Sequence, residues 1–301
     1  GTVICQVKRL ARRGALHPQM VKIPGFLIDH FVLVPDQMQT YATAYDPSRS
    51  GEMALPVSAL KPDPLTERRV IARRAAAELR PGDVVNLGVG ISAMIPNVAA
   101  EEGIEDQLTL TVESGVVGGI PGHGREFGSA VNPRATLDQP YQFDFYDGGG
   151  LTCAFLSFAE IDAAGNVNVT RFGGRYDGSG GFIDISQNTR RLVFSGTFTG
   201  GSLKVAVGDG RLRILEEGRF GKFVASVGQI SFNGPKARAD GHEVTYVTER
   251  AVFRLDVLAH MAFRPAIADT LRTMDERIFR EGPMGLASRI SRPAPPASDS
   301  A

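Results

Sequence analysis

The 301 residues contain only two cysteines, Cys5 and Cys153. They lie too far apart to form a metal-binding spacing or a disulfide framework. A reducing compartment is expected, and with it a cytoplasmic location. No apolar run approaches the ~20 residues that a membrane-spanning helix needs, so no membrane partner is expected. The opening "GTVICQVKRLARRG" lacks the apolar stretch of a secretory signal. Gly1 in place of an initiating Met points to a piece of a longer protein or to a processed subunit. Charge of one sign is also missing, with 33 Lys and Arg against 33 Asp and Glu. That balance argues against a nucleic-acid partner and against a solvated, disordered acidic chain. No internal repeat is present, and the length suits one large α/β domain or two modest ones.

Glycine is what the chain has in excess, with 35 residues against an average share of ~7%. The glycines cluster at 88–90, 115–128, 148–150, 173–181 and 196–201, between apolar runs. Clusters of this kind indicate tight turns and a backbone that approaches something closely.

Residues 1–60 read as a short helix over "CQVKRLARRG", extended pieces in "FLIDHFVLVP" and a polar run. Prolines 56, 62 and 64 mark a boundary. A helix follows with Thr66 as N-cap and Glu67 in its first turn, stopped by Pro81-Gly82. "DVVNLGV" (83–89) reads as a buried parallel strand, the next helix closes near Gly103, and "QLTLTVE" (107–113) is another strand. This α-β-α-β order predicts an open, mostly parallel, doubly wound α/β sheet with added β-hairpins. Further strands are expected in "LTCAFLSFAEID", "NVNVTRF", "RRLVFSGTF" and "EVTYVTERAVFRL", with a hairpin at Asp209-Gly210. Two helices split at Pro265 are expected to close the fold. The domains expected are 1–60, the tail of a preceding half or a linker; 61–282, catalytic; and 283–301, a disordered tail.

Strands 83–89 and 108–113 run into Gly88-Val89-Gly90 and Glu113, and one right-handed crossover brings such ends to the same sheet edge. Bare glycine amides beside a carboxylate admit two chemistries. Gly88-x-Gly90-x-x-Ala93, with Glu113 about 20 residues on, fits a dinucleotide fingerprint and an NAD-dependent oxidoreductase. Against this, Pro96 would interrupt a helix opened inside the motif, whereas it suits the first turn of a helix starting later. The other chemistry is nucleophilic attack by Glu113 on a thioester, with glycine N–H groups holding the oxyanion. A bland reading, a solvated glutamate at a strand end beside ordinary turns, fits the spacing as well.

"NLGVGI", "VESGVVGGIPG", "FGSAVNPRATLDQPYQFDFYDGGGL", "GNVNVTRFGGR", "GSGGFIDISQ" and "FSGTFTGGSLKV" together resemble the family I coenzyme A transferases. The resemblance is to single-chain acetate/propionate enzymes in particular, and it covers most of residues 1–282. That family has two similar α/β halves, and this chain resembles the end of the first half plus the second. The resemblance implies that Glu113, in Glu113-Ser114-Gly115, attacks acyl-CoA to form an acyl-glutamyl anhydride. CoA thiolate then converts the anhydride into a glutamyl-CoA thioester, and the incoming acid reverses these steps in a ping-pong scheme. It further implies CoA-binding or oxyanion roles for Gly88, Val89, Gly90, Gly115, Gly200 and Gly201, and structural support from Gly148-Gly149-Gly150. Coenzyme A is then a substrate and no permanent cofactor or metal is expected. The partners expected are an acyl-CoA, a short-chain acid, the missing N-terminal half or a partner subunit, and further copies in a homo-oligomer. A non-catalytic, truncated CoA-binding or assembly subunit is the other alternative, because the first half is essentially absent.

The remaining candidates have bland readings beside sharper ones. His123 orients an acid or sits solvated in its loop. Asp144 and Asp147 read as turn aspartates rather than a metal pair. Cys153 reads as an inert core thiol. Arg12, Arg13, Arg73 and Arg74 read as solvated helix faces. Nothing in the sequence singles out Lys204 or Arg171 as a phosphate contact.

Overall fold

In the computed structural model, residues 1–172, 174–250, 262 and 273–290 are described. The chain divides into two units, 1–46 and the remainder from Pro47. In the first unit the expected helix at 5–14 is instead a strand, Ile4–Val7, paired in parallel with His30–Leu33. The branched Ile4 and Val7 favour extended backbone, and a nonlocal partner strand outweighs a short helix that is marginal alone. No residue of this unit is fully buried; Ile4 is 65% and Phe26 87% exposed.

The second unit begins earlier than the prolines at 56–64 suggest, because residues 48–55 are tied into it. Asn132 N–H donates to Ser48 O, Arg49 to Ser129 Oγ, and Leu55 N–H to Asn132 Oδ1. Its centre is a seven-stranded sheet. The strands are β1 (Val84–Leu87), β2 (Thr109–Val112), β3 (Val116–Val117), β4 (Ala135–Thr136), β5 (Cys153–Ser157), β6 (Arg191–Ser195) and β7 (Glu243–Val247). Their order is β7-β6-β5-β1-β2-β3-β4, parallel from β7 through β2, with β3 and β4 antiparallel.

Alternate side chains feed two cores, as a sheet covered on both faces requires. Cys153 and Phe155 face one core with α1 (Glu67–Ala76) and α2 (Ile95–Glu101). Ala154 and Leu156 face the other with α3 (Gln139–Asp147), α4 (Phe182–Gln187) and α5 (Gly234–Ala239). The doubly wound architecture is the one the sequence pattern predicts. Thr66 is the N-cap of α1, although its side chain makes no capping bond, and the helix ends at Ala76, before Pro81. Pro96 lies in the first turn of α2. Asp209 and Gly210 both have positive φ in the expected hairpin, between Lys204–Gly208 and Arg211–Glu216.

Three expectations need correction. Arg73 is not on a solvated face: it is fully buried and donates to the carbonyls of Arg277 and Gly282. Residues 283–290 are not a disordered tail. Met284, Leu286 and Ile290 are buried in the first core, and the Met284 and Leu286 N–H groups donate to Glu102. Lastly, "EVTYVTERAVFRL" is strand only over Glu243–Val247, with 251–255 outside the described residues. Most of the two expected closing helices, and residues 291–301, also lie outside them. Among the described residues, no helix is long and apolar enough to cross a membrane.

Candidate active site

Strand β2 ends on Glu113 because the chain reverses there. Val112 pairs antiparallel with Val116, so Glu113, Ser114 and Gly115 form the turn of a β2–β3 hairpin. Gly115 closes it with φ +105, and a Cβ there would stand 2.0 Å from the Leu137 carbonyl oxygen. No side chain fits that position. Ser114 Oγ donates to Gly128 O at 2.8 Å and pins the turn from the other side. Pleating puts Glu113 on the same face as Thr111, toward α3 and α4 rather than toward α1 and α2.

On that face Glu113 lines a cavity of about 200 Å³, together with Gly88, Val89, Ser157 and the loop Gly178–Gly181. A Cβ at Gly181 would be 2.7 Å from Glu113 Oε2 and 2.6 Å from Phe143 Cζ, so the glycine leaves the space the carboxylate occupies. Among the described residues the Glu113 carboxylate has no hydrogen-bond partner. Burial alone holds its pKa above that of an ordinary glutamate. Beneath it lies a buried polar cluster around Tyr146 of α3. The hydroxyl accepts from Asn86 Nδ2 at 3.1 Å and from Gln142 Nε2 at 2.7 Å, and lies 2.9 Å from Thr111 Oγ1. Thr111 donates onward to Val85 O, so the Tyr146 proton goes to Thr111. Asn86 and Thr111 precede Gly88 and Glu113 by two positions on adjacent strands. The Tyr146 hydroxyl therefore ties the two strand ends together one pleat below the cavity.

The predicted glycines differ in what their backbones offer. Gly88 N–H is spent on Phe155 O at 2.8 Å and Gly115 N–H on Val112 O at 3.0 Å. Both therefore stand at the site as bare backbone. Val89 and Gly90 N–H find no acceptor among the described residues, and neither do Gly180 and Gly181 N–H. Ser157 Oγ donates to Val89 O at 2.7 Å. In a trans peptide the Gly90 N–H then points the opposite way. A second cavity of about 330 Å³ is lined by Val89, Gly90, Asp63, Arg68 and His123 among others. His123 Nε2 is 2.9 Å from Asp63 Oδ1, and Asn97 Nδ2 donates to Asp63 Oδ2 at 3.1 Å. The hydrogen bond to Asp63 raises the His123 pKa against the opposing effect of burial. Burial raises the Asp63 pKa, but His123, the Asn97 hydrogen bond and the Arg69 charge together leave the carboxyl below its usual range.

The other candidates fall elsewhere. Gly200 pairs with Phe220 in a short antiparallel ladder, and neither Gly200 nor Gly201 lines the Glu113 cavity. Gly148 caps the C-terminus of α3, Gly149 has φ +78, and Gly150 lies against the Phe145 ring. Burial pushes the Cys153 thiol up to about 12, so it is inert. Lys204 pairs with Glu216 and Arg171 stacks on Tyr176. Among the described residues no group of three His, Cys, Asp or Glu is placed to hold a metal. The dinucleotide fingerprint lacks its helix: only a short 3-10 turn covers Ser92–Met94, and α2 begins at Ile95. The loop 178–181 carries no acid, base or metal-spacing signal and enters the site only through the fold.

No protein-family model matches the chain. It is 45% identical over 304 residues to the acetate CoA-transferase YdiF of Escherichia coli (strain K12), covering 95% of this chain and 57% of the relative. It is 42% identical over 307 residues to a caffeate CoA-transferase of Acetobacterium woodii, covering 93% and 58%. A crystal structure of the YdiF acyl-CoA transferase of E. coli O157:H7, a thioester complex with CoA, superposes with a TM-score of 0.84. The identity there is 44%, over 95% of this chain and 57% of that one. The chain spans somewhat over half the length of these relatives, and within that span it belongs to the family I coenzyme A transferases.

Proposed function

We propose that this chain is the glutamate-bearing part of an enzyme that moves coenzyme A between a short-chain acyl-CoA and a carboxylic acid, with Glu113 as nucleophile. A Glu113 oxygen attacks the thioester carbonyl, the C–S bond breaks, and CoA leaves as thiolate. The product is a mixed acyl-glutamyl anhydride, comparable in energy to the thioester it replaces. The thiolate then attacks the glutamyl carbonyl, releases the first acid as carboxylate and leaves a glutamyl-CoA thioester. The acceptor carboxylate attacks that thioester, and the returning thiolate takes the new acyl group and frees Glu113. Charges balance at every step, and no proton need move.

The observation that carries this reading is the half-buried carboxylate of Glu113, without a hydrogen-bond partner among the described residues and facing a cavity walled by bare glycine backbone. A poorly solvated carboxylate is a better nucleophile than a hydrated one. The N–H groups of Gly180 and Gly181 on the same cavity are candidates to hold the oxyanion of each tetrahedral intermediate. Arg68, His123 and the Gly90 N–H, at the neighbouring cavity lined by Val89 and Gly90, suit the phosphate-bearing arm of CoA. The exposed apolar side chains of residues 1–46 fit a unit that is covered by protein lying outside this chain. The test is transfer of CoA from acetyl-CoA or propionyl-CoA to a second acid by wild type and Glu113→Gln, with the remaining length of the relatives supplied. Transfer by wild type alone supports the proposal. CoA binding without transfer would favour a non-catalytic subunit, and tight NAD(H) binding without acyl-CoA binding a dehydrogenase.

A further inference from the structure

Among the described residues, the apolar side chains lining the Glu113 cavity include Leu156, Val169, Phe182 and Ile185. Apart from Glu113, the polar side chains on this cavity among the described residues are Ser157 and Ser179, and the Ser157 hydroxyl is committed to Val89 O. Among the described residues no cationic side chain lines it. The cationic Arg68 instead lines the second cavity, with His123. A hydrocarbon group beside Glu113 would meet matching apolar surface. A second carboxylate there would lose its water and gain no partner.

We infer that this apolar flank is the acyl pocket, that it admits short uncharged hydrocarbon chains, and that Val169 sets their length. The inference rests on Glu113 carrying the acyl group. The cavity of about 200 Å³ corresponds to about six heavy-atom groups at the ~30 Å³ that each water takes in the liquid. Short acyl chains match that size. Leu156, Phe182 and Ile185 are 3%, 6% and 2% exposed and belong to the second core, and Phe182 packs on Phe194 with centroids 5.8 Å apart. These three are fixed by packing. Val169 is only partly buried against that core, and its N–H is held by Ser231 Oγ at 3.1 Å. It is an anchored residue whose side chain can change size without opening the core.

The test is the second-order rate of Glu113 labelling by acetyl-, propionyl-, butyryl-, hexanoyl- and succinyl-CoA, read by peptide mass, in wild type, Val169→Phe and Val169→Ala. In wild type the rate rises about fourfold per methylene up to butyryl-CoA, and succinyl-CoA lies about 100-fold below butyryl-CoA. Val169→Phe lowers butyryl-CoA at least tenfold relative to acetyl-CoA, while the acetyl-CoA rate stays within about threefold. Val169→Ala moves the optimum toward hexanoyl-CoA and serves as the test from the other side if the Phe variant folds poorly. Unchanged ratios in both variants, or succinyl-CoA reacting as well as butyryl-CoA, overturn the pocket assignment alone. Absence of any Glu113 adduct in wild type with all five thioesters, the remaining length of the relatives being supplied, overturns the nucleophile reading itself, and the pocket with it.

Discussion

Gly181→Ala isolates the geometry of the carboxylate from the stability of the fold. Gly181 has φ −77, which alanine adopts without strain. The expected stability cost is up to about 1 kcal/mol, from the poor N-cap preference of alanine at the start of α4. The added Cβ would lie 2.7 Å from Glu113 Oε2 and 2.6 Å from Phe143 Cζ, well inside the 3.4 Å at which ordinary contact begins. The carboxylate is the mobile end of its side chain and retreats, and the partly buried Phe143 ring tilts aside to clear the same Cβ while the backbone stays. A misplacement approaching 1 Å in a nucleophile costs on the order of 10- to 100-fold in rate, or about 1.4 to 2.7 kcal/mol in barrier. The assay is the rate of acyl-CoA labelling of Glu113 at saturating thioester, with a thermal melt on the same sample. A melt close to wild type with labelling slowed at least tenfold is expected. Wild-type labelling in the folded variant would show that the position of Glu113 against Gly181 does not matter to the chemistry.

Three further outcomes follow from the buried polar groups. Burial raises the Glu113 pKa, so the folded state holds its proton to higher pH than the unfolded chain and stability falls as pH rises through that interval. Glu113→Gln should therefore be more stable than wild type at neutral pH, with the difference shrinking in acid, as chemical denaturation at several pH values will show. The His123 pKa is raised by Asp63 and the Asp63 pKa is lowered, so the stability that pair contributes is greatest between the two, lost as pH rises through the raised His123 value and as it falls through the lowered Asp63 value. In Asp63→Asn the His123 proton resonances should titrate at lower pH than in wild type, and an unshifted titration would refute the pairing. Tyr146→Phe leaves the Asn86 and Gln142 amides without their shared acceptor. It should cost about 1–3 kcal/mol in denaturant unfolding, and an unchanged midpoint would contradict the cluster.

How far the sequence reveals this arrangement depends on how local each signal is. The crossover from β1 to β2 is written in contiguous apolar runs, and Pro96 correctly delays α2 to Ile95. Asp209-Gly210 reads as a hairpin because the two residues alone can supply the required positive φ. The β2–β3 turn at Glu113 is harder to see, since its glycine answers to Leu137, a residue far along the chain. Gly181 meets Glu113 by the same kind of long-range encounter, so nothing near either residue announces the contact. Arg69 and Arg73 look like ordinary solvated arginines on α1. They are buried because the segment 273–290 folds over them: Glu281 pairs with Arg69, and the carbonyls of Arg277 and Gly282 accept from Arg73. The strand at Ile4–Val7 looks helical in sequence because its partner, His30–Leu33, is not visible in a local pattern.

The most direct test of the central claim is the mass of the proteolytic peptide containing Glu113 after incubation with acyl-CoA, the remaining length of the relatives being supplied. The account predicts a peptide heavier by CoA less water, located at Glu113. Borohydride reduces that adduct to the corresponding alcohol, and Glu113→Gln abolishes it. An unmodified Glu113 peptide in a sample that transfers CoA, or an adduct on another residue, would contradict it.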